Sequence, residues 1–244
     1  MGRRAGAGLF ASLWALACLG AGRNARACGV TVGGAAGISG CSLSEHEEAE
    51  RPKWRVGASY SFTSTAIRFS GDQRFDEERH AALATLDYRP TRTVTLEAGA
   101  GLLAGGHIST PIARYDFTPG FVSAVGASWR VVDADGAIPF VLLTGQISYA
   151  TTTTQGVGYN AFDARAGAIV GTTVWRVLAP YLVGRAFGGP VYWRYQGAAV
   201  TGTDVFHYQV GVGLSLTIAR RIDLFAEGVP LGELGVSAGL GVSF

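Results

Sequence analysis

The 244-residue chain contains one lysine, Lys53, one methionine and three cysteines. Charged side chains make up only 16% of it, against about 25% in soluble domains, which is sparse for a surface facing water on all sides. No CxxC pair and no Cys/His cluster with zinc spacing occurs, which excludes the usual redox and structural-zinc motifs. No cofactor motif and no metal site is expected. A run of about 20 apolar residues, the length a membrane-spanning helix needs, is also missing. A long charge-free stretch, Ala137 to Phe162, is interrupted by Pro139, Gln146, four consecutive threonines and Asn160. Basic charge is not in true excess either. Arg3, Arg4, Arg23 and Arg26 lie in the first 27 residues, which hold no acid. Without them, 16 of the 20 basic residues face 18 acidic ones, so the nominal positive charge is no argument for nucleic-acid binding.

What is abundant is glycine, 36 residues, which costs about 1 kcal/mol against alanine inside a helix. Hydrophobic residues reach 48%. The N-terminus reads as a cleaved secretory signal over residues 1–27. Arg3 and Arg4 give a basic start, Leu9 to Gly20 a short apolar core, and Ala25-Arg26-Ala27 a small-x-small cleavage site. An N-terminal anchor helix is the competing reading, and Ala15-Leu16-Ala17-Cys18 loosely matches a lipoprotein processing site. Cleavage after Ala27 leaves Cys28 and Cys41, a candidate disulfide in an oxidising compartment; two free thiols are the alternative. Residues 28–52, small residues followed by the acidic run SEHEEAERPK, read as a solvated periplasmic tail.

From Trp54 the chain changes to period two, the spacing that sends alternate side chains to opposite faces of a strand. Phe206, Tyr208, Val210, Val212, Leu214, Leu216 and Ile218 alternate with small or polar residues, as do Leu234, Val236, Ala238, Leu240, Val242 and Phe244. The expected strands are roughly 54–69, 80–89, 93–104, 115–131, 139–150, 161–176, 180–195, 204–218, 222–229 and 234–244. Segments of ten residues or more exceed the soluble norm of about 5–6. Aromatics gather at the strand ends: Trp54, Tyr88, Trp129, Trp175 and Tyr181 at one side, Tyr115, Tyr149, Tyr159, Tyr192, Trp193 and Tyr208 at the other. Short connections alternate with longer ones such as GDQRFDEERH, GGHISTPIAR, TTTTQGVGYN and QGAAVTGTD. This set of features predicts an all-β fold, a closed antiparallel up-and-down transmembrane β-barrel over residues 53–244, with about ten strands and eight as the alternative.

The C-terminal residues GVSAGLGVSF resemble the terminal signature of bacterial outer-membrane β-barrels. Phe244 is the last residue, and Val242, Leu240, Ala238 and Val236 step back from it at alternate positions. The resemblance covers most of the chain and lies closest to small OmpA-like and uncharacterised outer-membrane barrels. It departs from them in having Val242 where many members carry Tyr or Trp, and in having no peptidoglycan-binding domain after Phe244. It implies an outer-membrane location, lipid as the surroundings, and recognition of Phe244, Val242 and Leu240 by the barrel-assembly machinery.

The small-residue face is expected to point into the lumen. Its charges are then Arg55, Asp87, Arg89, Glu97, Arg130, Asp163, Arg165, Arg185, Asp223 and Glu227, of both signs. They can form a mutually paired polar core or line a narrow path for ions. The expected function is a structural or narrow-pore barrel. Surface binding through outer loops is the alternative, and an enzyme a third. Of the histidines, His46, His80 and His207 lack a catalytic setting. His107-x-Ser109 resembles the His-x-Ser of barrel lipid A deacylases, but no acid to orient the histidine is identifiable from sequence. No enzyme is expected.

Overall fold

The computed structural model describes residues 53–70, 73–133, 138–175, 177–219 and 221–244. The signal segment, the tail 28–52 and the Cys28–Cys41 pair lie outside the described residues. Among the described residues, thirteen antiparallel strands form one sheet. They are β1 (Trp54–Phe69), β2 (Gln73–Tyr88), β3 (Val94–Thr110), β4 (Ala113–Asp116), β5 (Gly120–Val132), β6 (Phe140–Thr154) and β7 (Val157–Gly171), then β8 (Leu178–Gly188), β9 (Val191–Tyr195), β10 (Ala198–Asp204), β11 (Tyr208–Ile218), β12 (Ile222–Gly232) and β13 (Leu234–Ser243). The first and last strands pair from Arg55–Ser243 to Ser64–Leu234. That closes β1-β2-β3-β5-β6-β7-β8-β11-β12-β13 into a ring of ten staves. Closure of the ten described staves removes the open edges of the sheet at the level of the belt, the condition for spanning a bilayer with strands.

The barrel is inside-out. Val56, Leu86, Leu102, Val125, Ile147, Leu214, Val236 and Leu240 are exposed on the outer face, while Arg55, Glu77, Asp87, Arg185, Asp223 and Glu227 are buried within. An apolar exterior around a polar interior suits lipid, where no water competes for the strands. Trp54 stacks on Tyr88 at 4.5 Å beside the chain ends, with Trp129, Trp175 and Phe244 also facing out. Tyr60, Phe121, Phe162, Tyr192 and Tyr208 form the second outward aromatic level. Tyr181, Tyr115, Tyr159 and Trp193, expected in these two rings, instead face inward.

The structure also corrects the connections at the end opposite the termini. The expected long loops are mostly strand: β2 runs back to Gln73, β3 on to Thr110, and β6 meets β7 through the two-residue turn Gln155-Gly156. The cause is a reversal of amphipathic sense along continuous strands. On β1, outward Trp54, Val56, Ala58, Tyr60 and Phe62 give way to Ser64 and Arg68, while inward Thr63 and Thr65 give way to Ile67 and Phe69. On β2, inward Phe75 contrasts with outward Arg74, Asp76 and Glu78. Below the switch the strands are built for lipid; above it they are built for water, with an apolar interior.

That upper part is a cap. The β12–β13 hairpin stops at Glu233, short of the other hairpins. Above it β10 pairs with β1 at Ile67–Asp204 to Phe69–Gly202, and β9 pairs with β7. The ring at this level is β1, β2, β3, β4, β6, β7, β9 and β10, eight staves, with the Phe117–Thr154 bridge joining β4 to β6. Its interior is Ile67, Phe69, Phe75, Ile108, Phe117, Tyr159, Ala161, Val191 and Trp193. Ten staves and eight are thus both present, at different heights.

Candidate functional site: the lumen and the hairpin-end rim

Four groups of charge lie inside the barrel among the described residues. Near the chain ends, Arg55 on β1 reaches Asp87 on β2 at 2.8 Å and Asp223 on β12 at 3.2 Å, with all three 1% exposed. Thr217 donates a hydrogen bond to Asp223 at 2.7 Å, and Arg89 lies close enough to attract both acids. At mid-height, Arg185 on β8 grips Glu227 on β12 through two bonds of 2.8 and 3.0 Å. Tyr181 donates a third bond to Glu227 at 3.3 Å. A paired guanidinium and carboxylate in this two-point geometry is the strong form of an ion pair.

Just below the cap, Arg165 on β7 binds Asp163, and reaches Glu233 at 2.9 Å. Gln209 donates to the same carboxylate. The tip of the short β12–β13 hairpin is therefore tied to β11 beside it and to β7, three staves from β12 around the ring. The turn depends on Gly232, whose φ is +85° and where an added Cβ falls 1.8 Å from the Tyr208 carbonyl oxygen. Arg165 also sits 4.6 Å above the Phe187 ring. Higher still, Tyr159 donates to Glu77 at 2.8 Å and Arg79 lies 3.4 Å from it.

Of the ten charges assigned to the lumen from sequence, Arg55, Asp87, Glu97, Arg130, Arg165, Arg185, Asp223 and Glu227 are buried, and Arg89 and Asp163 are half-buried. Glu97 receives a 3.5 Å bond from Ser128, and Arg130 pairs with Asp133 at 3.1 Å. Sequence reading missed Glu77, Arg79, Asp204 and Glu233. The first two lay in a segment assigned to a loop, although Phe75-x-Glu77-x-Arg79 keeps period two. Asp204 began a strand at its predicted edge, and Glu233 fell in a turn. Apolar patches also line the interior, notably Phe140, Leu142, Ile169, Tyr181, Val183 and Phe225, so the inner face is less uniformly polar than its small-residue pattern suggests.

Among the described residues, His80, His107 and His207 stand outside this lumen network. The Tyr60 hydroxyl lies 2.7 Å from Nδ1 of His80 at the upper margin of the apolar belt. His207 lies in the β10–β11 link with Nδ1 3.2 Å from the Phe187 carbonyl oxygen. The absence of an acid near His107 is corrected. Glu78 is its cross-strand partner on β2, with Oε2 3.7 Å from Nδ1. Ser109, two residues on, donates to the Asp76 carbonyl oxygen at 3.4 Å.

The geometry defines a class. A closed ring of antiparallel staves with a lipid-facing apolar belt, aromatic levels at its margins and a charge-paired interior is the architecture of a bacterial outer-membrane β-barrel. The chain matches no protein-family model and no curated protein in sequence. Solved structures similar to it in form include the outer-membrane protease OmpT from Escherichia coli, 10% identical, covering 82% of this chain and 99% of that one with a TM-score of 0.49. The translocator domain of the autotransporter NalP from Neisseria meningitidis is 13% identical, covering 81% and 90%, with a TM-score of 0.45. The outer-membrane protein OprG from Pseudomonas aeruginosa is 9% identical, covering 80% and 97%, with a TM-score of 0.42. The likeness is one of barrel form, and the activities of those proteins remain their own.

Proposed function

We propose that the chain is a non-conducting outer-membrane barrel, a stable framework that holds its hairpin end above the bilayer as the working surface. One observation carries the reading. The lumen charges pair between staves up to three apart in the ring of ten, as Arg165 on β7 does with Glu233 beside β12, and above them the eight-stave cap is packed with Ile67, Phe69, Phe75, Ile108, Phe117 and Trp193. Small barrels have interiors only wide enough for side chains to fill. A narrow pore, the other half of the expectation, is the weaker reading on the same ground. The two-residue hairpin turns also leave little loop for adhesion, so any binding takes place on the rim itself. The test is conductance of the purified protein in planar bilayers, with heat-modifiable migration as proof of folding. Folded protein without conductance steps is expected; regular steps from folded protein refute the proposal.

A second reading has its own observation. Ser109, His107 and Glu78 face outward together, just above the level of Tyr60 and His80, where the headgroups of the outer leaflet lie in this orientation. A serine, a histidine and an acid to orient it are the parts of an acyl-transfer nucleophile, and such contacts often tighten only on substrate. The reading is hydrolysis of a lipid acyl ester. It requires turnover of lipid A or a simple acyl ester that disappears in Ser109→Ala, and no turnover by folded protein ends it.

A further inference from the structure

At the hairpin end the inner mouth of the cap holds a cup of about 220 Å³. Its wall is aromatic. The Trp193 ring lies 4.9 Å from Tyr195 and 5.4 Å from Tyr115, and the two tyrosines meet edge-on at 5.9 Å. Trp193 and Thr154 both line it, 5% and 1% exposed, and neither the indole N–H nor the threonine hydroxyl has a protein partner. Buried polar groups ordinarily find one. Two amides, Gln155 and Gln196, stand at the lip.

Those glutamines carry a second signal. They occupy the first central positions of the turns between β6 and β7 and between β9 and β10, with φ of +51° and +50°, each followed by glycine. Such turns favour Asn-Gly or Asp-Gly, and left-handed backbone is costly for a longer side chain. Of the four non-glycine residues with positive φ among the described residues, two are these glutamines on one cup. Strained residues collected at one place point to a use for their side chains.

We propose that the cup binds a single pyranose ring of a neutral sugar. A pyranose presents a C–H face that packs on aromatic rings and a rim of hydroxyls that need both donors and acceptors. The tyrosine and tryptophan rings supply the first, and the glutamine amides, Thr154 and the indole N–H supply the second. Ligand pockets for drug-sized molecules run to about 300–1,000 Å³, so this one holds one ring. No carboxylate lines it and its one charged lining residue is Arg194, which argues against the cationic guest that an aromatic cage otherwise favours. The inference rests on the hairpin end facing the medium, but binding does not depend on whether the lumen conducts.

Binding is measured by calorimetry and tryptophan fluorescence on the full chain folded in detergent, with methyl glucoside, methyl galactoside, methyl mannoside and N-acetylglucosamine. Saturable binding of one of them is expected. Trp193→Phe keeps the ring and loses the N–H, and should weaken it about fivefold, the worth of one hydrogen bond. Tyr195→Ala should weaken it more than about tenfold through lost ring contact. Gln155→Asn and Gln196→Asn suit the turns better, so each should weaken binding about fivefold while the unfolding midpoint holds or rises. Competition by core oligosaccharide released from lipopolysaccharide marks a surface glycan as the source, and its absence a free sugar; either leaves a pyranose site. No saturable binding by any of the four, tighter binding of choline or phosphate, or asparagine variants that bind as well as wild type each overturn the proposal. Conductance steps together with sugar binding refute only the sealed-barrel reading.

Discussion

The pair of Arg185 and Glu227 offers the sharpest test of how the lumen is held. The side chains are 3% and 1% exposed and share two hydrogen bonds. Changing Arg185 to methionine removes the cation and leaves the Glu227 carboxylate with the Tyr181 hydroxyl as its donor among the described residues. Breaking one member of a buried pair costs about 3–5 kcal/mol, because the other charge stays buried without compensation. The double variant Arg185→Met with Glu227→Gln removes both charges and keeps an amide oxygen for Tyr181. It should cost about 1–2 kcal/mol, the scale of the hydrogen bonds lost. The double change is therefore expected to be more stable than the single one. The assay is reversible urea unfolding in lipid vesicles, followed by tryptophan fluorescence. Equal losses, or a double variant worse than Arg185→Met alone, refute the idea that the lumen is stabilised by mutual charge compensation.

Val212, on the lipid face of β11 and 38% exposed, should lose about 2–4 kcal/mol as Val212→Arg, whereas Thr201→Arg on the water-facing side of the cap should stay within about 0.5 kcal/mol; unfolding in vesicles compares them. Gly232→Ala forces a Cβ into the Tyr208 carbonyl at a φ of +85°, and should cost about 1–3 kcal/mol, read in the same assay. Deletion of Phe244, the exposed last residue of the belt, should lower the heat-modifiable, membrane-inserted fraction in cells; unchanged insertion means the terminal resemblance has no part in assembly.

Much of the belt was legible because its alternation has one sense. From Leu234 to Phe244 every second side chain meets lipid, and the partners between are glycine or serine, so period two alone sets face and register. The cap was not legible for the opposite reason. Between Gln73 and Arg79 the alternation persists, but the outward positions become charged and the inward ones mix Phe75 with Glu77 and Arg79. A reading that looks for apolar-out strands takes that for loop. The lumen charges could be sorted by parity once a strand was assigned, which is why Arg55, Asp87 and Glu227 were found and Glu77 and Glu233 were not. Their partners were out of reach, since Arg185 with Glu227 is a contact across 42 residues, set by the order of staves. The aromatic cup was hidden for the same reason: Tyr115, Thr154 and Trp193 come from three separate staves, and what unites them is closure of the cap. Glu78 beside His107 likewise follows from the β2–β3 register, which shifts at a bulge between His80 and Ala81.

Nitroxide scanning of β1 is the decisive probe of the reversal of faces along continuous strands. Single cysteines are placed from Trp54 to Phe69 in a background lacking the native cysteines, spin-labelled, and folded in vesicles. Accessibility to oxygen, which concentrates in lipid, is compared with accessibility to a water-soluble nickel chelate. Labels at 54, 56, 58, 60 and 62 should be accessible to oxygen, and labels at 64 and 68 to the chelate, while labels at odd positions are shielded from both throughout. Oxygen accessibility that continues through 68, or chelate accessibility at 67 and 69, contradicts the account.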